Sequence, residues 1–234
     1  MIQNFTNFAA TMTEYLLHPR IIENKDWATF LFILAFGIIA ITKSVYENRF
    51  GDFINLIFSD KYSKVYRDSS QLKSSFTISL FFVQVISFAF FIQISLSIFG
   101  YASKTDWILY IQIITFLIFF ILSKFLVEKI IATTFNIEEF VEQFNLQKIT
   151  YRTYIGIIIL PINILLFYYN TVSQNIPIAI ISIIVLMSIL TYSLSIKKYQ
   201  SLILSKLFYF ILYLCTLEIA PYFFMYYLFT KGSA

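Results

Sequence analysis

Six apolar stretches, at residues 27–42, 76–99, 107–127, 154–171, 176–196 and 207–229, fill most of this chain and leave only short polar connections between them. A hydrocarbon core about 30 Å thick needs about 20 residues of helix at a rise of 1.5 Å each. Each run meets that length once its flanking residues are counted. Lipid offers the backbone no hydrogen-bond partners, so a spanning segment must satisfy its own N–H and C=O groups. The pattern therefore predicts an all-α polytopic membrane protein with six transmembrane helices. The hydrophobic share of 59% and charged share of 13% agree, since a soluble domain is about half apolar and about a quarter charged. With 5 glycines and 4 prolines there is little material for a flexible linker. One integral domain over residues 1–231 is expected, followed by Gly232-Ser233-Ala234, which resembles a cloning scar. The first run has neither a basic segment before it nor a small-residue cleavage site after it, and reads as a retained helix, not a signal peptide.

The basic residues are unevenly shared between alternate connections. Lys43, Arg49, Lys61, Lys64, Arg67, Lys73, Lys124, Lys129, Lys148, Arg152, Lys197, Lys198 and Lys206 fall on one side, and Arg20, Lys25, Lys104 and Lys231 on the other. Cytoplasmic loops carry the excess of Lys and Arg. Both termini are thus expected outside the cytoplasm, in a multi-pass protein of the cell inner membrane. The net charge of +4 then reports topology and a match to anionic membrane lipids, with no nucleic-acid partner. Trp27, Trp107, Tyr101, Tyr151 and Tyr169 sit near run ends and read as interfacial anchors.

Three connections carry amphipathic patterns. Ile2, Phe5, Phe8, Met12 and Tyr15 predict a helix lying on the outer surface. Phe50, Phe53, Ile54 and Ile57 beside Arg49, Lys61 and Lys64 predict a basic interfacial helix. Ile137, Phe140, Val141 and Phe144 form a stripe backed by Glu138, Glu139 and Glu142, and an acidic face is poorly matched to an anionic leaflet. That helix should pack on protein, either on Arg49, Arg67 and Lys73 of the same chain or on a docking partner.

Glu218 stands apart as an acidic residue deep within a run. Lys206 and Lys231 bracket it, which places it roughly 18 Å from either end, near the bilayer centre. A carboxylate there costs about 3 kcal/mol or more unless protonated, hydrated or paired. Three residues on, Pro221 leaves the carbonyl of Leu217 without its helical donor. Ile211, Cys215, Glu218 and Tyr222 share one helix face. In the fourth run, Pro161 frees the carbonyl of Ile157 in the same way, and Asn163 near its midpoint is the best partner for Glu218. Two readings stay open: a buried interhelical hydrogen bond that fixes packing, or a proton, ion or solute path. Gln84, Gln93 and Gln112 read as polar glue.

Catalytic material is scarce. With one cysteine, Cys215, and one histidine, His18, the chain has no intrachain disulfide and no Cys/His metal cluster, and no nucleophile has an obvious His partner. No glycine-rich phosphate loop occurs. No catalytic residues, metal or cofactor are assigned, and enzymatic activity is not expected.

The stretch Leu212-Tyr213-Leu214-Cys215-Thr216-Leu217-Glu218-Ile219-Ala220-Pro221, with Tyr151-Arg152-Thr153-Tyr154 and Leu160-Pro161-Ile162-Asn163, resembles a family of uncharacterised polytopic inner-membrane proteins of Bacteroidota, known only as a domain of unknown function. The resemblance covers nearly the whole chain after Asn24, and Cys-x-x-Glu-x-x-Pro is its most specific part. It implies location and lineage, and no activity. The expected function is a non-enzymatic subunit or assembly factor of a multi-protein inner-membrane complex, with the type 9 secretion and gliding machinery of Bacteroidota as a candidate. The alternative is a proton- or solute-coupled transporter using Glu218.

Overall fold

The computed structural model describes residues 25–55, 62, 65–66, 74–134, 138–169, 172–198 and 227. The described residues form helices and no strands: α1 (Asp26–Val45), α2 (Glu47–Ile54), α3 (Ser75–Ile98), α4 (Trp107–Thr134), α5 (Glu138–Tyr168) and α6 (Asn175–Lys198). Four of these segments, Asp26–Val45, Ser75–Ile98, Trp107–Thr134 and Phe144–Tyr168, are long and apolar enough to cross a membrane. The fifth apolar run forms α6. The sixth lies outside the described residues but for Tyr227, as does the N-terminal pattern from Ile2 to Tyr15.

Local chemistry sets the helix ends. α1 starts with Asp26 and closes with Lys43, charges that suit the two poles of a helix dipole. Ser74 caps α3 by accepting the N–H of Thr77. At the other end of α3, Gly100 takes φ +83°, a left-handed conformation open to glycine. The N–H of Tyr101 then reaches the carbonyl of Leu96 at 2.9 Å and that of Gly100 reaches Ser97 at 3.0 Å, the double bond pattern of a Schellman close. Six residues later, Asp106 begins α4 by accepting the N–H groups of Ile108 and Leu109. The α3–α4 hairpin is tied from inside by Gln93, whose Nε2 donates to the carbonyl of Asp106 at 2.7 Å.

α3 is the central helix. It packs most extensively on α5 and also on α1 and α4, while α6 lies along α5. Ala28, Phe32, Ala35 and Thr42 recur along one face of α1 and are buried; the two alanines let that helix approach α3 closely. The core near the hairpin end is aromatic. Phe90 of α3 stacks on Phe32, with Tyr110 and Phe167 beside it. Trp27 joins this cluster at 5.1 Å from Tyr110 and 5.8 Å from Phe90, and its buried Nε1 has no hydrogen-bond partner among the described residues. Instead of placing its polar edge at the membrane surface, this tryptophan turns into the bundle. Trp107, Tyr101 and Tyr169 are exposed near helix ends at that side, as interfacial anchors are.

α2 also departs from the sequence expectation. Phe50 and Phe53 are buried against Tyr62, Phe76 and Leu80, so its apolar face covers the end of the bundle and not a lipid surface. Arg49 explains the preference. Its guanidinium lies 4.5 Å from the Phe76 ring centre and 4.9 Å from that of Tyr66, and donates to Ser74 Oγ at 3.0 Å. Cation–π attraction plus hydrogen bonds hold it to protein. Burial pushes the pKa of the Tyr62 hydroxyl above 10.0, against the opposing pull of Arg49, so the group stays protonated.

α3 and α5 approach closely at Gly156 of α5. A Cβ there would meet Gln84 Cα and Cγ of α3, each at 3.1 Å. Gly156→Val therefore overpacks a contact with backbone on the far side, and is expected to destabilise the folded protein by about 1–3 kcal/mol. Unfolding in mixed detergent micelles measures this; unchanged stability would show that α3 and α5 have room to separate.

Candidate functional site

Two polar regions lie inside the bundle. The first is a seam between α3 and α5. Gln84 is fully buried, and Thr153 Oγ1 donates to its Oε1 at 2.9 Å. Farther along, the fully buried Asn163 donates through Nδ2 to the carbonyl of Ser87 at 2.7 Å, with Ser87 Oγ at 3.4 Å. Among the described residues, Gln84 Nε2 and Asn163 Oδ1 have no partner. Each amide is thus half used, with one donor group and one acceptor left buried.

Pro161 sits within α5, which continues through it to Tyr168, and its ring is on the exposed side. The missing N–H weakens one rung without ending the helix. Of the residues expected to form an intramembrane polar site, Asn163 and Pro161 are therefore placed on the same helix, with Asn163 turned inward onto Ser87. Glu218, Cys215 and Pro221 lie outside the described residues.

The second region lies at the end of the bundle away from the α3–α4 hairpin. There α3, α4 and α5 diverge around a cavity of about 440 Å³. Its wall is apolar at Ile78, Phe81, Phe120 and Ile121, and charged at Lys124, Lys129, Lys148 and Arg152 opposite Glu128, Glu138 and Glu142. Lys148 Nζ and Glu128 Oε1 meet at 2.8 Å, with side chains 11% and 3% exposed. Two charges this sheltered are tolerable because each neutralises the other.

The acidic amphipathic stretch belongs to this region. Glu138 opens α5, so the stretch is the first part of a 31-residue helix that also supplies the fourth span. Val141 and Phe144 are buried, and Val141, Glu138 and Glu142 line the cavity. Ile137 lies outside the described residues, as do Arg67, Lys73 and the side chain of Phe140. Sequence reasoning missed the Glu128–Lys148 pair because Glu128 directly follows the third apolar run, where hydropathy ends and gives no partner. The available signal was helical continuity: no glycine or proline interrupts residues 107–134, so nothing ends the helix at the membrane surface. No cluster of three or more His, Cys, Asp or Glu side chains arranged to hold a metal occurs among the described residues.

Lys148→Met strands the Glu128 carboxylate and should cost about 3–5 kcal/mol. The double variant Glu128→Gln with Lys148→Met removes both charges and is expected to recover most of that loss. Thermal unfolding of the two proteins in detergent compares them, and equal destabilisation would mean that the pair is hydrated and not buried.

No curated protein and no solved structure matches the chain significantly. One family does match, over residues 28–229, and it takes in both the α3–α5 seam and the charged cavity. The chain therefore belongs to the family described as Domain of unknown function (DUF4271).

Proposed function

We propose that this protein is a non-enzymatic subunit or assembly factor of a multi-protein complex in the cell inner membrane, crossing it six times with both termini outside the cytoplasm. The observation that carries the reading is on α4. Only 6% of its apolar window is buried, and the outward face includes Gln112 and Thr115 as well as Ile111, Phe116 and Phe119. Gln112 makes no hydrogen bond among the described residues. An amide facing hydrocarbon is unfavourable, and helix–helix association is the usual way to satisfy it. A neighbouring helix that pairs with Gln112 and packs on Phe116 and Phe119 supplies both needs. The excess of basic residues at the end holding the charged cavity supports placing that end in the cytoplasm. A Bacteroidota origin would make the type 9 secretion and gliding apparatus a natural host.

The test is purification of a tagged chain from its native membrane in mild detergent. A stoichiometric partner is expected, and Gln112→Leu should reduce its co-purification about three- to fifteenfold, the worth of one interhelical polar contact. A chain recovered alone from native membranes would count against the subunit reading.

A second reading, a proton- or solute-coupled transporter, is favoured by the unpartnered Asn163 Oδ1 and Gln84 Nε2 in the seam. Glu218 would supply the protonatable group, with Asn163 Oδ1 accepting from its protonated form. Glu218→Gln separates the two: complex assembly survives it under the first reading, because an amide still donates and accepts, whereas proton-linked flux disappears under the second.

A further inference from the structure

We propose that the cavity between α3, α4 and α5 binds one anionic phospholipid of the adjoining leaflet, with its phosphate on Arg152 and one acyl chain along Phe81 and Phe120. Arg152 lines the cavity and makes no hydrogen bond or ion pair among the described residues; its Nε is buried without a partner. A guanidinium in that state needs an anion from elsewhere. Asn145, 3% exposed, lines the same cavity with Oδ1 unpartnered, and can accept from a headgroup hydroxyl.

Depth selects the ligand. Tyr168 ends α5 near the hairpin side, and Arg152 lies sixteen residues before it, about 24 Å along the axis. In a hydrocarbon layer about 30 Å thick, the Arg152 backbone sits just inside the far boundary, and its long side chain reaches the phosphate level by snorkelling. The carboxylates do not compete there. Glu142 is ten residues farther out on α5, about 15 Å beyond Arg152, Glu138 is farther still, and Glu128 is neutralised by Lys148. What remains near the membrane boundary is the positive charge of Arg152.

The apolar part of the wall argues for a lipid over a free anion. Ile78, Phe81, Phe120 and Ile121 continue the cavity toward the hydrocarbon, and Ile78 and Leu122 on its margin are 46% and 49% exposed, so it opens laterally to the bilayer. A volume of about 440 Å³ falls within the range of small-molecule sites. It takes a headgroup and the upper part of one chain, leaving the rest against the outer surface of α3 and α4.

The experiment uses the full chain in mixed micelles containing equal phosphatidylglycerol and phosphatidylcholine, read by native mass spectrometry. One phosphatidylglycerol per chain is expected to be retained with about tenfold preference, the equivalent of a single charge-assisted contact. In Arg152→Gln that preference is expected to vanish. Equal retention of the two lipids by the wild type, or an unchanged preference in Arg152→Gln, overturns the proposal. Should Arg152→Gln fail to fold, Phe120→Trp in an otherwise unaltered chain reads the same site: brominated phosphatidylglycerol, at low mole fraction in phosphatidylcholine nanodiscs, should quench the added fluorescence more than brominated phosphatidylcholine does. Equal quenching by both overturns the site. Displacement of phosphatidylglycerol by inorganic phosphate alone would assign the cavity to a free anion and overturn the lipid, as would a crosslink from Phe120 to another segment of this chain filling the cavity in native membranes.

Discussion

The contact between α3 and α5 is the constraint on which the rest of the bundle depends. In lipid there is no hydrophobic gain from bringing two apolar helices together, so close packing and shared hydrogen bonds must supply the attraction. Gly156 lets the two backbones approach so closely that a Cβ there would crowd Gln84. That approach brings Thr153 within reach of Gln84 and Asn163 within reach of the Ser87 carbonyl. α1 and α4 then pack on the remaining faces of α3, and α6 leans on α5. Widening this one interface would leave two amides without donors or acceptors at a depth where water is scarce.

The polar groups in the structure sort by what they are attached to. Gln93 closes a hairpin from inside and Ser74 caps a helix; both satisfy backbone groups that the helix ends leave open. Gln84 and Asn163 instead join two helices across the core. Arg49 joins a short surface helix to the bundle through aromatic faces. Arg152 and Gln112 belong to neither class, since the described residues offer no partner for either one. In the readings proposed above, those two side chains are the ones turned toward a lipid and a partner helix.

Much of the architecture was legible from hydropathy alone, since apolar length is a direct response to bilayer thickness. The runs at 27–42, 76–99, 107–127 and 154–171 correspond to α1, α3, α4 and the second half of α5. What hydropathy hides is where a helix stops. α4 and α5 extend beyond the apolar runs through Glu128 and from Glu138, because polar residues of good helix propensity continue a helix that nothing breaks. Trp27 shows a different limit. An aromatic at a run end fits the interface equally well as an anchor or as part of the core, and only the positions of Phe90 and Tyr110 decide between them. For the polar site, Asn163 and Gln84 were visible as polar residues inside apolar runs, whereas Ser87 and Thr153 were not, since small hydroxyl residues are common in membrane helices and acquire meaning only through the partner they meet.

The continuity of α5 has a mechanical consequence. Its 31 residues make a rod about 46 Å long, longer than the hydrocarbon layer it crosses, and the Glu128–Lys148 pair clamps it to α4 near one end. The tip at Glu138 and the aromatic cluster at Phe167 therefore belong to one element. Pro161, with one rung missing from its ladder, is the place where that rod bends most easily, and it lies between the clamp and the cluster. The two ends of α5 can thus tilt relative to one another without either unwinding, with Pro161 as the joint between them.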